Sequence, residues 1–371
     1  MSTASLFSAS CSRSIHAGIR ALAVAFPSGV RTNDYWRSRH PEVIAALERK
    51  AATQVWEASE RAGDLWTEEM ARYLPDVFRG SVERRVLRDD ERILDIEERV
   101  VRRALAAAKM SPRDLDMVLL SSFYPDQVAI GNAIFLAGRI GLTCPCINVE
   151  SACGAPVSDL LLATTLVESG RARNVLVVVS CAYSRALEET HPMAWTSGDG
   201  AAAILVGATP EREILGSSVV GTPDTIPVFT LGTRPHPLVG QTPTFAATRV
   251  AADLLAASTA RHMPYCVDAA LGASGMTRAD MDFVVFPTPT AWYAMYGCRT
   301  LGIPQGRTID TYPRFTNTGP VLSPANLYFA ARSGQIRHGD RVVFTAQGSM
   351  STAGAVVLRW GDVALAEESD A

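Results

Sequence analysis

Short, almost continuous apolar runs alternate along the chain with longer stretches of helical periodicity. Four of these runs, at residues 175–179, 201–206, 342–345 and 355–358, contain few polar residues. Strands that are apolar on both faces are typical of sheets covered by helices on each side. The pattern therefore predicts a layered α/β architecture.

The pattern also occurs twice. Residues 110–120 return as 276–286, where Ser111 or Thr277 precedes a short turn, an Asp follows three positions later and an apolar strand comes next. Such a Ser/Thr and Asp pair is typical of a helix cap. A second pair of segments, a helix ending near Gly170 or Gly334 followed by a strand, repeats at an offset of 164 residues. We therefore predict two duplicated halves, 14–210 and 211–371, packed about a pseudo-twofold axis.

Residues 32–78 interrupt the first half. They are rich in charged residues and tryptophan at helical spacing, which predicts amphipathic helices inserted into this half. These helices would form an outer cap or a lid over a pocket.

Overall composition limits the function classes. The chain has 371 residues, 47% hydrophobic content and a net charge of -3, which predicts a soluble globular protein without the basic surface that nucleic acids require. We find no apolar run long enough to span a membrane and no secretory signal, so we expect a cytoplasmic protein. The seven cysteines lack paired spacing, which argues against disulfides and against a metal site.

Cys153 is the strongest candidate for chemistry. It follows a β-rich segment around 146–149 and precedes an apolar helix that starts near residue 157. The N-terminal end of a helix favours a thiolate over a thiol, and the thiolate is the form that attacks carbonyl groups. The alternative is a free cysteine that only fills the core.

The repeat supplies a second candidate. The offset of 164 residues carries Cys153 onto Asn317, which also precedes a helix, so both helix ends could face one pocket. A Gly-Asp-Gly segment at 198–200 lacks the surroundings of a phosphate-binding loop, and we interpret it as a tight turn.

Taken together, these motifs resemble those of the thiolase-fold condensing enzymes, most closely the β-ketoacyl-acyl-carrier-protein synthase III group. The matching segments are 30–33, the stretch ending in Ala152-Cys153-Gly154, residues 197–201, Asn317 before a helix and the glycine-containing turn 348–354. The resemblance implies a thiolase fold, in which two α/β halves form an α-β-α-β-α sandwich, and a homodimer. It also implies that Cys153 accepts an acyl group from acyl-CoA or an acyl carrier protein, without a further cofactor. The oxyanion hole would be the backbone N–H groups of Cys153 and Ser349.

One position departs from the family pattern. The family places a catalytic histidine after the strand equivalent to 283–286, whereas this chain has Pro287 there and Thr288 next to it. Neither side chain can act as a base in place of an imidazole. His191 and His236 could approach the pocket from loops, although a surface position is the simpler expectation for both.

These observations favour an acyltransferase of secondary metabolism, acting in a pathway such as polyketide synthesis, that loads Cys153 and passes the acyl group to a hydroxyl, amine or carbon nucleophile. A carbon–carbon condensing enzyme with a relocated base is the first alternative. A catalytically silent partner of another ketosynthase is the second, because the family histidine is missing.

Overall fold

A computed structural model describes residues 15–60, 64–236 and 240–367. The described strands are β1 (His16–Ala25), β2 (Gly29–Thr32), β3 (Glu83–Val86), β4 (Met117–Phe123), β5 (Cys146–Asn148), β6 (Asn174–Ala182), β7 (Asp199–Thr209), β8 (Ile214–Gly221), β9 (Phe229–His236), β10 (Gly240–Ala247), β11 (Phe283–Val285), β12 (Arg341–Gln347), β13 (Thr352–Arg359) and β14 (Ala364–Leu365).

The described α-helices are α1 (Asn33–Arg39), α2 (Pro41–Glu60), α3 (Leu65–Ala71), α4 (Ile93–Ala108), α5 (Ala133–Ile140), α6 (Ala155–Glu168), α7 (Tyr183–Ala186), α8 (Pro192–Trp195), α9 (Ala251–Ala273), α10 (Tyr293–Leu301), α11 (Tyr312–Phe315) and α12 (Leu322–Arg332). In the part of the chain that is described, no helix is both long enough and apolar enough to cross a membrane.

Two sheets that share a run of four corresponding strands form the framework. The first runs β14-β1-β7-β6-β4-β5 and the second runs β11-β12-β13-β8. In the first sheet, β7 pairs antiparallel with both β1 and β6, and β6 pairs parallel with β4. In the second sheet, β13 pairs antiparallel with both β8 and β12, and β12 pairs parallel with β11. The shared topology is the structural form of the sequence repeat, although β14, from the end of the chain, joins the first sheet.

The layers pack as expected for an α-β-α-β-α sandwich. Helices α6 and α12 lie in the middle layer, where Leu160 and Leu327 belong to one buried cluster with Val177 and Phe344 from the two sheets. Helices α4 and α5 cover the outer face of the first sheet, and α9 and α10 cover that of the second. The prediction of a layered α-β-α-β-α architecture is confirmed.

The caps within the repeat are also present. Ser111 with Asp114, and Thr277 with Asp280, each form a reciprocal capping box around a single 3₁₀ turn. Gly170 and Gly334, just beyond α6 and α12, have positive φ angles of 72° and 75°. Glycine is favoured in this left-handed conformation at helix ends because it has no Cβ.

The inserted region contains α1, α2 and α3. Trp36 of α1 is fully buried with Phe78 and Trp195. Its indole N–H and that of Trp195 both donate to the backbone carbonyl of Glu189. These contacts attach the insertion to the loop that carries His191.

Candidate active site

Cys153 lies in a single 3₁₀ turn, Ala152–Gly154, directly before α6. Ala152 has a positive φ of 44°, and the Glu150 carboxylate accepts a hydrogen bond of 2.6 Å from its backbone N–H. A non-glycine residue in this conformation is strained, and such strain is common at active sites. The turn therefore holds the partly buried sulfur at the end of a buried helix, as the sequence predicts.

Burial of the Cys153 sulfur acts against the thiolate that the helix end favours. Burial raises the pKa of Cys153 to about 11; the Tyr183 hydroxyl acts in the opposite direction, and the Glu150 charge raises the pKa further. Removal of the sulfur from water therefore opposes the helix end and favours the thiol form of Cys153.

Asn317 lies beside this turn. The 3₁₀ turn Gly319–Val321 that follows Asn317 packs against the Cys153 turn. The Asn317 Oδ1 accepts a hydrogen bond of 2.9 Å from the Gly319 N–H. This bond orients the amide, and among the described residues its Nδ2 has no hydrogen-bond partner. The two predicted residues thus occupy adjacent turns, with one amide donor free.

The Gly-Asp-Gly segment holds Asn317 in place. The Gly198 N–H donates to the Asn317 carbonyl at 2.9 Å, and the Asn317 N–H donates to the Thr196 carbonyl at 3.0 Å. The prediction of a tight turn at 198–200 is wrong, because Asp199 and Gly200 begin β7. The buried Asp199 carboxylate accepts from Leu87 and Ser184, and these distant partners stabilise an extended conformation there.

The turn that contains Ser349 is pressed against the Cys153 turn. A Cβ atom on Gly348 would lie 2.6 Å from the Gly154 nitrogen, so only glycine permits this approach. Four hydroxyl groups hold the two turns together through mutual hydrogen bonds: those of Ser151, Ser158, Ser351 and Thr352. In the described structure no backbone carbonyl accepts a hydrogen bond from the N–H of Cys153 or of Ser349. Each of the two packed turns therefore has one backbone N–H without a carbonyl partner.

The turns that contain Cys153, Asn317 and Ser349 each include a residue with a strained backbone conformation. Six described non-glycine residues have positive φ, and three of them, Ala152, Thr316 and Met350, are direct neighbours of Cys153, Asn317 and Ser349. Strained backbone of this kind persists only where the surrounding contacts impose it. Nothing in the sequence marked these positions, because alanine, threonine and methionine rarely adopt this conformation.

The remaining predicted residues make other contacts. Pro287 and Thr288 are buried after β11, and the Thr288 hydroxyl accepts a hydrogen bond of 2.8 Å from Asn326. The His191 Nδ1 accepts from the Met193 N–H at 3.2 Å and caps α8, and burial lowers the pKa of His191. The side chain of His236 lies outside the described residues. The structure thus assigns His191 a capping contact and leaves the family histidine position without an imidazole.

Tyr183 is the site residue that sequence reasoning missed. Its hydroxyl oxygen lies 3.9 Å from the Cys153 sulfur. The signal was weak, because Tyr183 lies 30 residues further along the chain, just after β6.

Among the described residues, no group of three or more His, Cys, Asp and Glu side chains is placed to hold a metal ion.

Comparison with known proteins gives matches to one enzyme family in both halves of the chain. Residues 147–223 match the family 3-oxoacyl-[acyl-carrier-protein] synthase III, and residues 271–360 match the C-terminal region of the same family. Both Cys153 and Asn317 fall inside the matched ranges. These matches support a synthase III-like enzyme of the thiolase fold.

The individual relatives and solved structures have low sequence identity to this chain. The chain is 28% identical over 287 residues to β-ketoacyl-[acyl-carrier-protein] synthase III of Thiobacillus denitrificans, covering 76% of this chain and 88% of the relative. It is 27% identical to a Streptomyces coelicolor synthase III, with 76% and 87% covered. The crystal structure of the Pseudomonas aeruginosa synthase III matches with a TM-score of 0.74 and 22% identity, over 93% of this chain and 98% of that one. The priming β-ketosynthase of a polyketide biosynthetic pathway has a TM-score of 0.77 at 18% identity, with 94% and 97% covered. The structural matches confirm the predicted thiolase fold for this chain.

Proposed function

We propose that this synthase III-like enzyme is an acyltransferase that loads an acyl group onto Cys153 and passes it to a hydroxyl, amine or carbon nucleophile. The observation that carries the proposal is the packing of three strained turns against one another: the turn of Cys153, the turn of Asn317 with its free amide donor, and the turn of Ser349. Its relatives are named β-ketoacyl-[acyl-carrier-protein] synthase III, which supports an acyl carrier protein as a partner. The donor in this proposal is a thioester of an acyl carrier protein or of CoA.

In the loading step, the Cys153 sulfur attacks the thioester carbonyl of the donor. The N–H groups of Cys153 and Ser349 then stabilise the tetrahedral oxyanion. Each such donor typically contributes about 3 kcal/mol to transition-state stabilisation. Collapse of the intermediate releases the donor thiol and leaves the acyl group on Cys153. The proposed reaction uses no metal and no further cofactor.

The second step distinguishes transfer from decarboxylative condensation. Condensation with a malonyl thioester needs donors that hold the carbonyl while an enolate develops. Asn317 offers one donor and Pro287 offers none, and among the described contacts His191 only accepts a hydrogen bond from the Met193 N–H. Loss of one such donor costs about 10²- to 10³-fold in rate. An acceptor that is already nucleophilic avoids this loss, which favours transfer over condensation with a relocated base.

A homodimer is part of the same proposal. Strand β5 forms an edge of the first sheet, and Ile147 in its middle is 46% exposed. Asn148 bonds to the backbone of Ile130 and Ala133, which brings the exposed Ile130 and Ile134 to the same edge. An apolar, unpaired strand edge is an aggregation hazard unless something covers it. A second copy of the chain would cover this edge.

Intact mass measurement after incubation with a panel of acyl-CoA and acyl carrier protein thioesters tests the proposed loading. We expect wild type to gain one acyl group, Cys153→Ala to gain none, and Cys181→Ala, which lacks a buried neighbouring thiol, to load like wild type. Candidate acceptors added to the isolated acyl-enzyme should then remove the adduct. An absence of loading across the panel, or loading that persists in Cys153→Ala, contradicts the proposal. Co-purification with a second synthase chain together with no loading would instead identify a silent partner.

A further inference from the structure

The Cys153 sulfur has a phenol beside it. The hydroxyl oxygen of Tyr183, at 3.9 Å, is within hydrogen-bonding range of a sulfur atom. We propose that Tyr183 is a catalytic residue, which donates a hydrogen bond to the Cys153 sulfur whenever that sulfur carries negative charge.

Packing fixes the Tyr183 ring. The residue is only 3% exposed and begins α7, directly after β6. Its ring stacks on Phe245 with centroids 5.9 Å apart and meets Phe123 edge-on at 5.5 Å. On another side, a Cβ atom on Gly319 would lie 3.6 Å from the ring, so the turn after Asn317 also packs against it. Contacts on several sides hold the hydroxyl close to the sulfur.

The electrostatics make Tyr183 a donor. Burial raises its pKa well above the ordinary value of 10, and the neighbouring Cys153 raises it further. The phenol therefore keeps its proton at all working pH values and cannot serve as a base. A neutral donor next to a sulfur stabilises the thiolate more than the thiol, because hydrogen bonds to charged groups are the stronger ones. The hydrogen bond from Tyr183 thus lowers the pKa of Cys153, whereas burial raises it.

This role in catalysis rests on the proposed acyl transfer. During loading, a bond forms between the Cys153 sulfur and the acyl carbon, the bond from that carbon to the donor sulfur breaks, and the donor thiol leaves with the proton that Cys153 lost. During transfer, the acceptor bonds to the acyl carbon, the carbon–sulfur bond breaks, and the electron pair returns to Cys153 while the acceptor proton is released. The sulfur carries negative charge once its proton has left for the attack in the first step, and again when the carbon–sulfur bond breaks in the second. The Tyr183 hydrogen bond lowers the energy of both states.

Alkylation of Cys153 by iodoacetamide tests the hydrogen bond without any acyl donor. Because the rate follows the thiolate fraction, Tyr183→Phe should shift the pH profile upward by about one unit or more and slow labelling at pH 8.5 about tenfold. Cleavage after glutamate isolates the peptide 151–168, whose single cysteine is Cys153. Its mass therefore reports Cys153 separately from Cys144 and Cys146.

Tyr124→Phe is the matched control. Tyr124 contacts Phe123 and Phe245 in the same aromatic cluster, and its buried hydroxyl has no hydrogen-bond partner among the described residues. This variant should label like wild type. An unmoved profile for Tyr183→Phe, or equal shifts in both variants, would overturn the inference. Because no thioester takes part, that result is separate from a failure of acyl loading.

If Tyr183→Phe does not fold, the contact can be tested by NMR on protein that keeps Tyr183. The chain has nine tyrosines, which can be labelled with ¹³C at the ζ carbon. One resonance should move with the titration of Cys153 and stop moving in Cys153→Ala. Identical pH dependence of all tyrosine resonances in both proteins would contradict the contact.

Discussion

At the scale of single residues, burial controls the ionisation of the site and its surroundings. Asp159, which lies on α6 beyond the turn that holds Cys153, is fully buried. One carboxylate oxygen accepts from the Ser121 hydroxyl at 2.7 Å, and the other has no partner among the described residues. Burial raises the pKa of Asp159 to about 7, against the effect of Ser121 and with a smaller contribution from the Glu150 charge.

This shift predicts a pH-dependent stability. An unfolded aspartate has a pKa of about 3.9, so the folded protein holds one more proton between about pH 4 and 7. The contribution of the protonated form is complete below pH 4 and is lost as the pH rises through 7. From pH 5 to pH 8, wild type should lose about 2 to 3 kcal/mol of unfolding free energy relative to Asp159→Asn, which cannot ionise. Urea denaturation at both pH values measures this.

The control for Asp159 is an exposed carboxylate on the same helix. Glu168→Gln should keep the same difference from wild type at both pH values. A constant difference between wild type and Asp159→Asn would show that Asp159 does not hold its proton in the folded protein.

At the scale of elements, local patterns were predictable and long-range contacts were not. The capping boxes at Ser111 and Thr277 were readable because each motif lies within four residues. The placement of Cys153 before α6 was readable for the same reason. The contact with Tyr183 and the extended conformation at Asp199 depend on partners from other strands and loops. A single sequence without homologues contains no direct signal for such pairs.

The turn 348–351 allows a test at this scale. In Gly348→Ala, the new Cβ would lie 2.6 Å from the Gly154 nitrogen, so the turn must move and carry the Ser349 N–H with it. We expect acyl loading of Cys153 to slow by about 10²-fold, the cost of one oxyanion-hole donor. Alkylation by iodoacetamide forms no oxyanion and should change only a few-fold. The ratio of the two rates, measured by mass spectrometry, is the readout.

Gly306→Ala is the corresponding control, because a Cβ atom there meets no neighbour within 4 Å. It should leave both rates unchanged. Normal loading in Gly348→Ala would contradict an oxyanion hole that includes this turn.

At the scale of the whole molecule, the helix and sheet layers bury one another's apolar faces, but the β5 edge of the first sheet remains exposed. Helix α6 lies in the middle layer, yet its Leu161 and Leu162 are 36% and 45% exposed. Strand β5 also leaves one side of its backbone unpaired within the described chain. Burial of these surfaces would contribute about 25 cal/mol per Å² of apolar area, which favours association.

The proposed homodimer therefore predicts a specific response to charge at the β5 edge. Wild type should elute with about twice the 39.8 kDa mass of one chain in size-exclusion chromatography with light scattering. Ile147→Lys should shift the protein to monomer, because a lysine at the centre of an edge strand opposes pairing with a second edge. Tyr265→Lys replaces a 59% exposed side chain on α9, in the outer layer of the second sheet, and should remain dimeric. A monomeric wild type, or an Ile147→Lys variant that keeps the wild-type mass, would exclude β5 as the interface. In either case the exposed isoleucines at this edge would need another partner, because the aggregation hazard of the open strand remains.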